Sequence, residues 1–150
     1  MRLKYVWLCG ASEKVSFEDS NNWRKECVSW FKSFSKRFRA WNPNDYYSYS
    51  ERRHNSDLEI LLFCLQKVTE SKVILVNLDN IRMSVGSIVE LAWAYLLRKP
   101  VIGFYEGYKG KDDDELRNAI HSWIYEFCWR IELGDESMLN ALDYIEEYYG

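Results

Sequence analysis

Ser71–Tyr105, SKVILVNLDNIRMSVGSIVELAWAYLLRKPVIGFY, decides the fold. Lys72 to Leu78 (KVILVNL) is a nearly continuous apolar run rich in β-branched residues, the pattern of a strand buried on both faces. A polar loop follows, and Ile88 to Leu97, rich in Ala and Leu, carries helical periodicity. Pro100 stops that helix, because proline disfavours a helical residue before it. Val101 to Tyr105 (VIGFY) then reads as a second buried strand. Strand, helix and strand in this order form a βαβ unit, so the two strands are parallel and helices cover the sheet.

The same alternation continues outward. Leu3 to Cys9 (LKYVWLC) predicts a strand that Gly10 ends. Ser20 to Phe38 has helical spacing through Trp23, Cys27, Trp30, Phe31 and Phe34, and Phe38 to Trp41 predicts a short strand before the Asn42-Pro43 turn. Asp57 to Thr69 predicts a helix with the stripe Leu58, Leu61, Leu62, Leu65 and Val68. Asp114 to Phe127 predicts one further helix, Arg130 to Leu133 a weak fifth strand, and Ser137 to Tyr149 a last helix. The expectation is a single α/β domain over residues 1–150, a five-stranded parallel sheet in a flavodoxin- or Rossmann-like three-layer sandwich. Ligands of such sheets bind outside the carboxyl ends of the strands. That directs attention to the loops after Leu8, Leu78 and Tyr105.

Composition narrows the function. The 150 residues are 47% hydrophobic, enough for one core and too apolar for disorder. A net charge of −3 offers no field to hold a nucleic-acid backbone. The basic stretch Lys32 to Arg39 (KSFSKRFR) reads as the solvated face of one amphipathic helix. Cys9, Cys27, Cys64 and Cys128 include no C-x-x-C pair, and His54 and His121 are far apart, so no metal site is expected. No signal peptide and no apolar run of membrane-spanning length is present. The expectation is a cytoplasmic protein with free thiols and no membrane partner. No P-loop or G-x-G-x-x-G occurs, and the first turn, Cys9-Gly10-Ala11-Ser12, is no flavin phosphate loop. No cofactor is expected.

Glu90 is the residue on which chemistry turns. Ser87-Ile-Val-Glu90 matches a capping box, with Ser87 capping the helix and Glu90 reaching back to it. The competing reading is a carboxylate held at a strand-end crevice, where it can attack an electrophilic carbon and where the helix N-terminus keeps it ionised.

The order of pieces here is an apolar strand (Val73 to Leu78), acidic Asp79, Gly86-Ser87, Glu90-Leu91 with Ala94, and Lys99-Pro100-Val101. Around it stand Tyr5 to Gly10, Asn42-Pro43, Ser56-Asp57 with Ile60 and Phe63, Trp123, and the Tyr-Ile-Glu-Glu-Tyr-Tyr ending. Together they resemble the nucleoside 2-deoxyribosyltransferase-like family, in its small bacterial and phage form, over most of the chain. The resemblance implies that Glu90 attacks C1′ of a nucleoside or nucleotide, the base leaves, and a second base or water takes the sugar. It implies that Tyr5 helps orient Glu90 and that Asp57 hydrogen-bonds or protonates the leaving base. Gly10, Asp79, Ser84, Gly86 and Ser87 become substrate-binding candidates. Ser84 stands near where transferases of the family often carry an acidic base-binding residue, and Lys72 where many members have aspartate. The resemblance also implies a homodimer or higher oligomer, with a partner chain often completing the pocket. The alternative on the same fold is a catalytically silent module that binds or sequesters a nucleotide.

Overall fold

The apolar runs of the sequence become the five strands of one sheet. In the computed structural model, which describes residues 2–47 and 54–150, these are β1 (Lys4–Cys9), β2 (Phe38–Trp41), β3 (Val73–Asn77), β4 (Val101–Tyr105) and β5 (Arg130–Leu133). All neighbours pair parallel, in the order β2-β1-β3-β4-β5. The helices are α1 (Phe17–Phe34), α2 (Asp57–Glu70), α3 (Val85–Leu96), α4 (Asp113–Ile120), α5 (Ser122–Phe127) and α6 (Ser137–Tyr149). This is the α/β three-layer arrangement expected.

The two-residue period of the strands splits the core in two. Trp7, Cys9, Ile74 and Val76 face one way and pack with Cys64 and Val68 of α2 and Leu91 and Ala94 of α3. Val6, Leu8, Val73 and Leu75 face the other way and pack with Cys27 and Phe31 of α1 and Ala141, Leu142 and Ile145 of α6. Chain order reverses direction across the sheet between β1 and β3, so the loops after these strands diverge and leave a crevice at their carboxyl ends.

Three sequence expectations are corrected. First, α1 spans Phe17–Phe34 instead of Ser20 to Phe38, because Ser16 caps it by accepting from the Asp19 N–H at 3.0 Å. Second, Lys32 to Arg39 is not one helix. Ser35 ends α1, and its hydroxyl accepts from the N–H groups of Arg37 and Phe38 while donating to Glu146, which turns the chain into β2. Third, the helix expected from Asp114 to Phe127 is two, broken at His121, where φ is +88° and Nδ1 accepts from the Trp123 N–H.

Among the described residues no helix is long and apolar enough to cross a membrane, and no group of three or more His, Cys, Asp or Glu is placed to hold a metal ion. All four cysteines are unpaired. Burial pushes the thiols of Cys64 and Cys128 up to about 12, which favours their protonated form near neutrality.

The Ser16 cap gives the first test. Ser16→Ala is expected to cost about 1 kcal/mol, which lowers the melting temperature by roughly 2–4 °C in a chain of this size. A melting temperature unchanged by the substitution contradicts a helix that begins at Phe17.

Candidate active site

The crevice takes its shape from three segments: the turn after β1, the start of α1 and the start of α3. The turn after β3 brings α3 to the crevice. Asn77 accepts from the Asp79 N–H, Asn80 takes a left-handed conformation (φ +61°), and one turn of 3-10 helix, Ile81–Met83, leads to Ser84. Ser84, not Ser87, is the N-cap residue of α3. Its hydroxyl donates to the Ser87 hydroxyl at 2.7 Å. Gly86 and Ser87 therefore lie in the first turn of the helix, where backbone N–H groups have no acceptor within the helix.

This early start removes the expected capping box. Glu90 is the sixth residue of α3, a turn beyond the cap, and its side chain points into the protein with 8% of its surface exposed. There it accepts a hydrogen bond of 2.5 Å from the indole N–H of Trp7, which is fully buried. A buried indole needs an acceptor and a buried carboxylate needs a donor, so each satisfies the other. The Cys9 thiol lies in the same contact, donating to the Ser87 carbonyl and hydrogen-bonded to Glu90. Burial raises the pKa of Glu90 above the usual glutamate value. The Trp7 hydrogen bond and the nearby Arg24 charge pull it part of the way back. Burial is the largest of these influences, so the net shift runs upward, against the effect expected of a helix N-terminus.

Arg24 is the second residue that organises the site. It lies on the buried stripe of α1 and is 1% exposed. Its three guanidinium nitrogens are all used. Nε donates to the Leu8 carbonyl, Nη2 to the Gly10 carbonyl at 2.9 Å, and Nη1 to the Ser20 carbonyl and hydroxyl and to the Ser12 hydroxyl. One cation thereby ties the end of β1 and the turn after it to α1. A Cβ at Gly10 would stand 2.8 Å from the ring of Trp23, so any other residue here requires that ring to shift.

A cleft of about 30 Å³ lies over Glu90, lined by Gly10, Ser12, Arg24, Tyr47, Ser87 and Glu90, with Glu13, Pro43, Ser84 and Gly86 completing its wall. Of the sequence candidates, Gly10, Ser84, Gly86, Ser87 and Glu90 therefore meet. Three do not join them. Tyr5 lies one pleat earlier on the same face of β1 and stacks on Trp41, ring centroids 4.0 Å apart, and the side chain of β1 that hydrogen-bonds Glu90 is Trp7. Asp57 is exposed in the first turn of α2, behind the Ser56 cap, and is not among the residues lining the cleft. Asp79 lies in an adjoining cleft of about 340 Å³, on the other side of the turn after β1, with Trp23, Asn77, Asn80 and Glu106. Burial raises the pKa of Asp79, against a hydrogen bond from the Gly107 backbone.

Trp7, Arg24, Ser12 and Tyr47 escaped the sequence reading. For Arg24 a signal existed: a cation within the stripe Ser20, Arg24, Cys27, Phe31 that the helix buries.

No protein-family model and no curated protein matches the chain. Solved structures do. A conserved protein from Enterococcus faecalis V583 matches with 16% identity and a TM-score of 0.73, over 95% of this chain and 98% of that one. The CMP N-glycosidase BcmB of Clostridium botulinum matches with 12% identity and a TM-score of 0.58, over 97% of this chain and 99% of that one. At such identities the likeness establishes the fold.

The burial of Glu90 gives a test with a definite sign. Its raised pKa means that its contribution to stability is fully present below the unfolded-state value and is lost as pH rises through the folded-state value. Glu90→Gln removes the ionisation while leaving an acceptor for Trp7. It is expected to raise the melting temperature at pH 7 and to leave it unchanged at pH 4. Equal effects at both pH values contradict a carboxylate strained by burial.

Proposed function

We propose that the chain cleaves the N-glycosidic bond of a nucleoside or nucleotide, with Glu90 as nucleophile. The observation that carries this reading is Glu90 itself. A desolvated carboxylate at the carboxyl ends of β1 and β3 costs stability, and perturbed carboxylates of this kind concentrate at functional sites. The resemblance of the Gly86 to Ala94 stretch to the deoxyribosyltransferase-like signature, and a fold shared with a CMP N-glycosidase, support the same chemistry.

The steps follow from the residues. A Glu90 oxygen attacks C1′ of the sugar. The C1′–N bond breaks, its electron pair leaves with the base, and the base takes a proton from water. Water or a second base then attacks C1′ and releases Glu90. Trp7 fixes the carboxylate, and Arg24 lowers the cost of its charge. The free N–H groups at Gly86 and Ser87 and the positive end of α3 suit the 5′-phosphate of a monophosphate. The cleft has room for one or two waters, so the substrate enters by displacing the exposed Glu13 and the half-buried Tyr47.

Two observations favour a second reading, a silent nucleotide-binding module: the small cleft, and a Glu90 held toward its neutral form. Chromatography of free base separates the two. Wild type is expected to release base from one or more of a panel of nucleosides and 5′-monophosphates. Glu90→Gln is expected to lose at least 10³-fold in rate, and the acid limb of kcat/KM is expected above the ordinary carboxylate range. Dependence on an added base marks a transferase. Thermal stabilisation by a nucleotide without base release marks the module and overturns the enzyme.

We further propose that the chain assembles as a homodimer or larger through the outer faces of α2 and α3. Leu58, Leu61 and Leu62 are exposed there, with Val85, Val89 and Leu96, on the helix that carries Glu90. Light scattering is expected to give at least twice the 18.0 kDa of one chain. Leu62→Glu combined with Val89→Glu is expected to give the single-chain mass, and a wild type that already runs at that mass contradicts the assembly.

A further inference from the structure

We propose that a second cleft, at the opposite end of the sheet from Glu90, is a binding site for a small molecule carrying two or more phosphate groups. The cleft measures about 580 Å³ and is lined by Arg2, Leu3, Lys4, Tyr5, Trp41, Glu70, Ser71, Lys72 and Lys99. That volume falls in the usual range of small-molecule sites.

The sheet itself sets the charge pattern. Lys4 is the first residue of β1, Lys72 immediately precedes β3, and Lys99 stands two residues before β4. These three strands are neighbours and parallel, so all three lysines come to the same edge. The Lys72 N–H donating to the Tyr5 carbonyl and the Ile74 N–H donating to the Pro100 carbonyl fix their level. Adjacent strands lie about 4.8 Å apart, so Lys72 and Lys99, level with each other on β3 and β4, are spaced to hold two linked phosphate groups, while Lys4 borders the cleft from the other face of the sheet. Arg2 adds a guanidinium fork suited to phosphate oxygens.

Among the described residues none of Arg2, Lys4, Lys72 and Lys99 is in an ion pair. Lys4 spends one N–H on the Tyr149 carbonyl and keeps its charge. The one carboxylate lining the cleft, Glu70, is paired with Lys67 at 3.8 Å. Lys67 also sits 4.1 Å over the ring of Trp41, which Tyr5 stacks against. With a tyrosine stacked on it and a cation over its face, Trp41 serves as a wall and not as a stacking platform, so the ligand is recognised through its anionic groups. In a chain of net charge −3, four unpaired cations converging on one cavity form a local reversal of sign.

Calorimetric titration with inorganic tripolyphosphate, pyrophosphate and orthophosphate at low ionic strength tests the site. Saturable binding of one tripolyphosphate or pyrophosphate per chain is expected, at least tenfold tighter than orthophosphate. Lys72→Ala with Lys99→Ala is expected to weaken it at least tenfold, and Lys72→Glu alone serves if the pair fails to fold. Glu90→Gln is expected to leave it unchanged, which separates this site from the cleft over Glu90. Binding that is absent, that survives the lysine variants, or that disappears in Glu90→Gln overturns the proposal. Tighter binding of a single-stranded oligonucleotide than of tripolyphosphate overturns it as well.

Discussion

The hydrogen bond from the Trp7 indole to Glu90 is the contact around which the site is arranged. It joins the middle of β1 to the second turn of α3 across the interior of the protein. Without the indole, the carboxylate would have only the Cys9 thiol and the nearby Arg24 charge to offset its lost hydration. Without the carboxylate, the indole N–H would be orphaned in a core that excludes water. The pair therefore fixes how α3 sits on the sheet and presents Glu90 to the crevice in one orientation. A group so placed need not reorganise when charge develops near it, which is the property electrostatic catalysis relies on.

Arg24 performs the matching task on the other wall. Five acceptors on β1, its following turn and α1 converge on one guanidinium. Arginine suits the position because its donors form a rigid planar fork and its charge persists in burial. The charge that stiffens the Gly10 turn also acts on Glu90, so one residue sets both the shape and the electrostatics of the crevice.

Much of this fold was legible in the sequence. β4 and β5 fall where the apolar runs lie, and β3 runs one residue short of its run at each end. The misreadings share a cause. Ser84 and Ser87 are equally good caps on paper, and a glutamate three residues after Ser87 imitates a capping box. Only the turn through Asn80 and Ile81 decides that the helix starts at Val85. The break at His121 has no glycine or proline to announce it. The two-residue period placed Tyr5, Trp7 and Cys9 on one face. Which of them reaches Glu90 depends on the register of β1 against β3, with Cys9 level with Val76, and that is not local information. The place of Arg24 on the buried stripe of α1 was legible, but its partners were not, since they lie 14 and 16 residues away on β1 and the turn after it.

A Glu90 nucleophile forms a covalent bond to the sugar. Rapid acid quench of the protein with a cleavable nucleoside or 5′-monophosphate, followed by peptide mass mapping, measures this most directly. A mass increase of one sugar or sugar phosphate is expected on the peptide that contains Glu90, growing in step with the first turnover. Base released at full rate with no adduct on that peptide, or with the adduct on another residue, would contradict it.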